Sequence, residues 1–480
     1  MLKCFPESSQ STERNAENEK SPKVAVIGAG SYFFGRPVIY NMVTSPVLRT
    51  GTLALVDTKP EVLDTMMKLA DRARKHAGAE LNIIGSTDRK EVMRDADFVV
   101  LSFSFRNAYY RELDTRISKK YGVTMCSSDT IGPGGIFRAL RELPEVLRIA
   151  DDVRRLCPDA WLINFVNPTA TLGIGLMRYA PDVKSFALCD GNHSPYVRAM
   201  FLRQAGITEK EILPIDPETD AKFDLQIAGV NHCTWVLKCA YDGKDRMPDL
   251  YRFVAEAAAR EYDTRPSDKA KPRLNMNYAL QFMDLYGAYP TAVSHTKEYV
   301  PFFQGCGVSP VTPEPILCFD GYHRADEMAA AWSVTEKFAN GEIPMDEFFR
   351  QGRGDHATDI IESMWGNLGK TFYINGPNRG AVPNLPDDAF LELRCDLDMN
   401  GPKPRPCVPM PRGLLGLTQQ ILDTHELTAE AAVSCDRNIL YRALAGDPLV
   451  NNLNDAKRIM QELLEAEKDH LPPEWFRMQR

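Results

Sequence analysis

The chain has 480 residues, of which 44% are hydrophobic and 25% charged, and its formal net charge at pH 7 is −8. This composition is typical of a globular protein with about two to three domains. The negative charge argues against a nucleic-acid partner, which normally needs a basic surface. No apolar run approaches the ~18 residues of a membrane span, and the first residues lack the apolar core of a secretory signal.

The eleven cysteines are scattered along the chain and include no C-x-x-C pair. An odd number of separated thiols fits a reducing compartment, so we expect a cytoplasmic protein whose functional cysteines are ligands or nucleophiles. The residues before Lys23 are mostly polar, and we predict a disordered tail over residues 1–22.

The segment KVAVIGAGS (23–31) is typical of a buried parallel strand that enters a tight turn before a helix. We expect Gly28 to make the turn, Gly30 to allow close approach of a ligand, and the helix N-terminus beyond Ser31 to bind a pyrophosphate. Phe33 stands where the third glycine of G-x-G-x-x-G is usual, and Gly35 follows two residues later.

A carboxylate at the end of the next strand strengthens this prediction. Asp57 closes the apolar stretch LALVD at the distance expected of a residue that binds the ribose hydroxyls. Since no arginine follows closely, the pattern favours NAD over NADP.

Strands and helices then alternate along the first half of the chain. The periodicity predicts helices over 59–78 and 139–156, and strands over 81–85, 95–105, 160–167 and 183–190. This alternation predicts an α/β fold with an N-terminal Rossmann-type, doubly wound parallel sheet over 23–195. From 196 to 480, a β-like stretch at 224–240 is mixed with helical segments, which predicts a C-terminal mixed α+β domain of catalysis and oligomerisation.

Polar residues with metal- or substrate-binding chemistry follow several of these strands and glycine turns. They are Asp129 before GPGG (132–135), which we predict to be a flexible turn, Asn167 before a proline, Cys189, and His232. Taken alone, each of these residues also has a structural explanation, as a helix cap, a loop residue or a buried core residue. Together, Cys189 and His232 offer a thiolate and an imidazole to one divalent ion, and such an open site is typical of catalysis. Metal and NAD side by side suggest oxidation of a metal-bound alcohol.

The combined motifs resemble glycoside hydrolase family 4, the NAD- and manganese-dependent glycosidases. They are GAGS (28–31), DTIGPGGIFRALRELP (129–144), NFVNP (164–168), Cys189 after its strand, GVNH (229–232), SHTKEYVPFF (294–303), GPNRGAVPNLPDDAFLEL (376–393) and LYRALAGDPL (440–449). The resemblance implies a sugar glycoside as substrate and NAD and Mn²⁺ as cofactors. It also implies transient oxidation at C3, deprotonation at C2 and elimination of the glycosidic oxygen, with the cofactor regenerated in each turnover.

The same resemblance implies roles for individual residues. Cys189 and His232 match the metal ligands, and Asn167 and Asn231 the substrate contacts. Asp190 takes the place of an acid if burial raises its pKa, and otherwise that of a carboxylate behind the metal ligands.

The base of this family is a tyrosine, for which Tyr299 is the first choice here and Tyr289 the second. We expect Asp129 to be a catalytic residue and His295 to bind substrate. Arg138 is expected to meet a carboxylate or phosphate of the sugar, or else to be a cation on the helix surface.

The tetrapeptide after the last strand, CDGN (189–192), matches neither the α-galactosidase nor the phospho-glucosidase form of the family. The sugar, its anomer and its phosphorylation therefore stay open. The resemblance also implies a homodimer or homotetramer.

Two other functions compete. A metal-independent NAD-dependent 2-hydroxy acid dehydrogenase of the lactate or malate type has a similar two-domain plan, but it needs a catalytic histidine–aspartate pair and a substrate-binding arginine. A non-catalytic NAD-binding regulatory protein would keep the glycine turn and Asp57 without needing Cys189, His232 and Asn167 together.

Overall fold

A computed structural model of the chain describes residues 21–31, 34–125, 127–263, 275–303, 324–352 and 354–477. Phe33 and nearly all of the tail predicted at 1–22 lie outside these residues.

The first half contributes a parallel sheet of short strands whose residues are mostly buried. These are β1 (Lys23–Ile27), β2 (Thr52–Val56), β3 (Asn82–Ser86), β4 (Phe98–Leu101), β5 (Trp161–Asn164) and β6 (Ser185–Ala187). They lie in the order β3-β2-β1-β4-β5-β6, and each neighbouring pair is parallel. This is the strand order of a Rossmann fold, as the sequence predicted.

Helices connect these strands and cover the sheet. They are α1 (Gly35–Thr44), α2 (Pro60–Ala77), α3 (Arg89–Met93), α4 (Asn107–Lys119), α5 (Gly132–Leu156) and α6 (Thr169–Tyr179). Helix α2 shows why such segments are helical: proline opens its first turn, a buried apolar stripe includes Leu63 and Met66, and Gly78 ends it with φ of 59°.

The second half adds antiparallel strands. They are β7 (Phe223–Val230), β8 (Cys233–Tyr241), β9 (Lys244–Asp245), β10 (Tyr289–Pro290), β11 (Thr371–Pro377), β12 (Phe390–Asp398) and β13 (Gly401–Pro404). Its helices are α7 (Tyr196–Gln204), α8 (Pro217–Lys222), α9 (Met247–Asp263), α10 (Asn275–Tyr286), α11 (Val293–Tyr299), α12 (Arg324–Asn340), α13 (Met345–Gln351), α14 (His356–Trp365), α15 (Arg412–Ser434), α16 (Arg437–Gly446) and α17 (Leu453–Ala466).

The two sets of strands form one sheet. Strand β11 lies antiparallel beside β6, and the order continues through β12 and β7 to β8 and β10. The α/β fold class, with a parallel Rossmann half and a mixed second half, is therefore confirmed. The domain boundary near residue 195 stays a prediction. None of the described helices is long and apolar enough to cross a membrane.

The glycines at 132–135 differ from their prediction as a flexible turn, because α5 already begins at Gly132. A Cβ atom on Gly134 would overlap the Ser128 side chain, and one on Gly135 would overlap the backbone of Thr130. These glycines therefore allow the first turn of α5 to pack against the loop that carries Asp129.

Candidate active site

The glycine turn after β1 lies over the end of β2. The N–H groups of Gly28 and Ala29 both donate to the Val56 carbonyl, at 2.9 Å. The Gly30 N–H donates to Asp57 Oδ2 at 3.0 Å, so the carboxylate predicted to bind ribose lies directly against the turn.

Glycine is required at position 28. Its φ is +91°, and a Cβ atom there would lie 2.6 Å from the Ser102 carbonyl oxygen at the end of β4. A side chain would therefore be strained and would also push apart two neighbouring strand ends.

Helix α1 follows the turn. The Gly35 N–H donates to the Ser31 carbonyl at 3.1 Å, and a Cβ atom on Gly35 would lie 2.5 Å from the Ala29 oxygen. Gly35 thus provides the close helix–turn packing for which the usual motif uses its third glycine. The first turn of α1 contains no acidic residue, and no side chain caps it, which suits an anionic group.

The proposed metal ligands lie on two loops. Asn231 and His232 form the turn between β7 and β8, where Val230 pairs with Cys233. Cys189 follows β6, and the Gly191 N–H lies 3.4 Å from its Sγ. Desolvation, followed in size by the charge of Glu392, raises the pKa of Cys189 to about 12. The thiol therefore stays protonated unless a bound cation displaces the proton.

Glu392 joins these two loops. It lies in β12 opposite Gly229, is about 1% exposed, and accepts hydrogen bonds from Asn192 Nδ2 at 2.8 Å and Asn231 Nδ2 at 3.0 Å. Sequence reasoning missed this residue. The signal was a lone carboxylate within the apolar strand segment FLEL.

His232 is held in its neutral form. Its ring stacks on that of His295, with centroids 4.3 Å apart and planes 18° apart, and its Nδ1 lies 3.1 Å from Thr130 Oγ1. Burial, aided by the charges of Arg138 and Arg111, lowers the pKa of His232 to about 4. Nε2 is therefore the nitrogen left for a metal ion.

Helix α11 fixes the backbone of this turn. The Tyr299 hydroxyl donates to the Asn231 carbonyl at 3.0 Å and accepts from the His232 N–H at 3.1 Å. Thr296 Oγ1 donates to the His232 carbonyl at 3.1 Å. Burial raises the pKa of Tyr299 well above its usual 10.

Tyr289 has different surroundings. Its ring packs edge-on against Phe201, with centroids 5.5 Å apart, and burial raises its pKa to about 12. Of the two tyrosines considered as base, Tyr299 is thus the one that contacts the ligand turn.

Asp129 lies between two guanidinium groups. It forms ion pairs with Arg111, at 2.9 Å, and with Arg138, and Asn167 Nδ2 lies 3.4 Å from its Oδ2. These partners favour the charged carboxylate, which suits an acceptor better than a proton donor. The structure therefore brings the predicted residues Asp129, Asn167 and Arg138 together.

Arg138 is buried, so the alternative of a helix-surface cation is wrong. It also contacts Ser104 Oγ at 3.1 Å and approaches Glu142 to 3.9 Å. Arg138 and Asp129 line a small pocket together with Arg111 and Arg141.

A second missed carboxylate, Glu298, positions the loop that carries Asp129. It accepts from the N–H and Oγ of Ser127, both at 2.8 Å, and from the Ser128 N–H at 2.9 Å. Burial raises its pKa above the usual 4.5. Its place within SHTKEYVPFF was the available signal.

Asp190 is exposed, so the burial expected of a proton donor is not seen. It opens a short 3₁₀ turn, Asp190–Asn192, whose last residue reaches Glu392. Among the described residues, no group of three or more His, Cys, Asp and Glu side chains could hold a metal ion. A metal ion bound by Cys189 and His232 would thus keep positions for other oxygen ligands.

Two family models match the chain: the family 4 glycosyl hydrolase over residues 23–207, and the family 4 glycosyl hydrolase C-terminal domain over residues 227–450. An α-galactosidase of Bacillus subtilis (strain 168) is 29% identical over 466 aligned positions, covering 94% of this chain and 99% of the relative. An α-galacturonidase of Lachnoclostridium phytofermentans is 24% identical, covering 94% and 97%. A crystal structure of a 6-phospho-α-glucosidase from gut microorganisms, in complex with NAD and Mn²⁺, has the same fold, with a TM-score of 0.74 and 21% identity over 94% of this chain and 99% of that one.

Proposed function

This chain belongs to glycosyl hydrolase family 4, and from that membership we propose that it hydrolyses O-glycosidic bonds with the help of NAD and Mn²⁺. The family match favours this function over a metal-independent dehydrogenase and over a non-catalytic NAD-binding protein. The observation that carries the proposal is that four segments meet at the carboxyl ends of the parallel strands. They are the glycine turn, residues 165–167, residues 129–130 and the turn that carries His232. Phe34 beside the glycine turn stacks on Phe165 with centroids 4.3 Å apart, Asn167 reaches Asp129, and Thr130 reaches His232.

The residues fit both cofactors. Gly28, Gly30 and Ser31 would hold the pyrophosphate at the start of α1, and Asp57 would accept from the ribose hydroxyls. Cys189 and the neutral His232 would be the protein ligands of the metal. When bound, NAD supplies a hydride acceptor for C3 of the sugar, and Mn²⁺ supplies positive charge for the C2 and C3 oxygens.

The substrate would lie between the two loops of metal ligands and the loop of Asp129. Asn167 and Asn231 would orient its hydroxyl groups, with Asp129, Arg138 and His295 lining the same site. The ion pairs of Asp129 with two arginines support a fixed acceptor for a hydroxyl group.

For removal of the C2 proton, Tyr299 is the first candidate and Tyr289 the second. Tyr299 already donates its proton to the Asn231 carbonyl, and because burial raises its pKa, action as a base depends on nearby positive charge. Asp190 remains the candidate for the acid that protonates the leaving oxygen. Since it is exposed, closing of the site over substrate would have to desolvate it first.

The chemistry is tested with p-nitrophenyl α- and β-glycosides, including galactosides, glucosides, uronides and 6-phosphoglucosides, in the presence of NAD, Mn²⁺ and a reductant. We expect hydrolysis that EDTA abolishes and that leaves no stoichiometric NADH. In deuterated water, the product sugar should carry deuterium at C2. Net NADH formation from a free hydroxy acid, or a product without deuterium, would refute the proposal.

The same panel identifies the sugar, because the relatives are named for galactosides, galacturonides and phosphorylated glucosides. We further propose a cytoplasmic homodimer or homotetramer, consistent with the free thiols among the described cysteines. Light scattering of the purified protein distinguishes these states from a monomer.

A further inference from the structure

Glu392 is a buried carboxylate without a cation. Its two hydrogen-bond donors are the neutral amides of Asn192 and Asn231, and no lysine or arginine of the described chain forms an ion pair with it. Burial raises its pKa above the usual 4.5, since an uncompensated charge is costly inside a protein. Aspartates and glutamates are almost never fully buried without a charged partner, so we expect Glu392 to have one.

The two asparagines lie close in sequence to the proposed metal ligands. Asn192 lies three residues after Cys189, and Asn231 immediately precedes His232. Because the amide nitrogen of each side chain donates to Glu392, the orientation of each amide is fixed. Both Oδ1 atoms are buried and have no hydrogen-bond partner in the described structure. The Oδ1 atoms of Asn192 and Asn231 are therefore two hydrogen-bond acceptors without a donor, on the two loops that carry Cys189 and His232.

Charge balance indicates that the missing partner of Glu392 is a cation. Binding of a divalent cation to Cys189 replaces the thiol proton, so the site gains one net positive charge. A carboxylate fixed beside both ligand loops stabilises that gain, and in the metal-free protein it has nothing positive to face.

We propose that Glu392 is a positioning residue of the metal site: its charge compensates the bound divalent cation, and its two hydrogen bonds aim the Asn192 and Asn231 oxygens at water or substrate hydroxyls around it. This inference rests on the proposed function, because it takes Cys189 and His232 as metal ligands. Residues behind the ligands of a metal site commonly change metal affinity by about 10- to 100-fold.

The test measures Mn²⁺ binding without turnover. The full chain with NAD is titrated with MnCl₂, and free Mn²⁺ is followed by electron paramagnetic resonance in the wild type, Glu392→Gln, Glu392→Asp and the control Glu362→Gln. Glu362 is a carboxylate of α14 that accepts from Ser45 Oγ at 2.7 Å. We expect Mn²⁺ to bind Glu392→Gln about 10- to 100-fold more weakly, Glu392→Asp with a smaller loss, and Glu362→Gln like the wild type.

A role in packing alone predicts the opposite order, because glutamine keeps the volume of the side chain and aspartate does not. Wild-type affinity in Glu392→Gln, or a greater loss in Glu392→Asp than in Glu392→Gln, would overturn the inference. NAD affinity and the melting temperature without metal establish that each variant is folded. Cys189→Ser distinguishes failure of this inference from failure of the proposed function. If Cys189→Ser no longer binds Mn²⁺ and Glu392→Gln still binds it with wild-type affinity, the proposed function stands and this inference falls. Failure of the wild type to bind Mn²⁺ refutes both.

Discussion

Replacement of Gly28 by alanine tests the glycine turn most directly. Its φ of +91° strains any side chain by about 1–2 kcal/mol. The added Cβ would also lie 2.6 Å from the Ser102 oxygen and 2.8 Å from the Phe103 Cα, and overpacking of this kind costs roughly 1–3 kcal/mol more. Since backbone lies on the far side of the contact, the end of β4 would have to move. We therefore expect Gly28→Ala to destabilise the fold by about 2–5 kcal/mol.

Gly78→Ala is the matched control. Gly78 ends α2 with φ of +59°, and no atom lies within 4 Å of the position of its Cβ. It shares the backbone strain without the overlap, so we expect a loss of about 1–2 kcal/mol and unchanged NAD affinity. Gly28→Ala should bind NAD at least about tenfold more weakly, which corresponds to 1.4 kcal/mol. Thermal unfolding and calorimetric NAD titration measure both quantities, and equal values for the two variants would show that the close approach to β4 does not matter.

Three further predictions concern the ligands, the base and the pH dependence of stability. Cys189→Ser and His232→Ala should each abolish metal-dependent hydrolysis while circular dichroism stays that of the wild type; full activity in either would remove that residue from the metal site. Tyr299→Phe should stop deuterium exchange at C2 if the hydroxyl is the base, whereas weaker Mn²⁺ binding with exchange intact would identify a residue that only holds the ligand turn. Burial lowers the pKa of His425 to about 4, below its usual 6.5, so the unfolded state binds more protons between these values and stability should fall as pH drops from 6.5 to 4. The contribution is on the order of 3 kcal/mol, and denaturant unfolding of His425→Gln should show a shallower pH slope; an unchanged slope would contradict this.

The local patterns of the first half predicted its elements well. The segment at 59–78 is α2 within two residues, and LALVD ends at Asp57 beneath the glycine turn. These features depend on neighbours in sequence: the helical period of apolar residues, a proline at the helix start and a glycine at its end. The flexible turn predicted over the glycines at 132–135 was wrong, because Gly134 and Gly135 pack the first turn of α5 closely against Ser128 and Thr130.

The candidate site was predictable where a motif carries its chemistry, and not where a partner lies far along the chain. Asp129, Asn167 and His232 were recognisable, but part of their surroundings comes from distant segments: Asn167 reaches Asp129 from 38 residues away, and Thr130 reaches His232 from 102. Glu298 binds Ser127 from 171 residues away, and Glu392 binds Asn192 from 200. Periodicity could not show that Asp190 is exposed or that Tyr299 is tied to backbone atoms, because both facts depend on packing between elements.

The sequence by itself therefore determined the Rossmann half, the dinucleotide turn and the family, since short-range patterns and motif residues define all three. The tertiary structure decided the electrostatics of the site: which carboxylates are paired, which are buried without a cation, and which histidine stays neutral. Gly35 shows the difference most simply, because only its packing against Ala29 reveals that it does the work of the absent third glycine. The physical reason is that burial and charge compensation are properties of neighbours in space, which the β6–β11 and β7–β12 pairings bring together from distant parts of the chain.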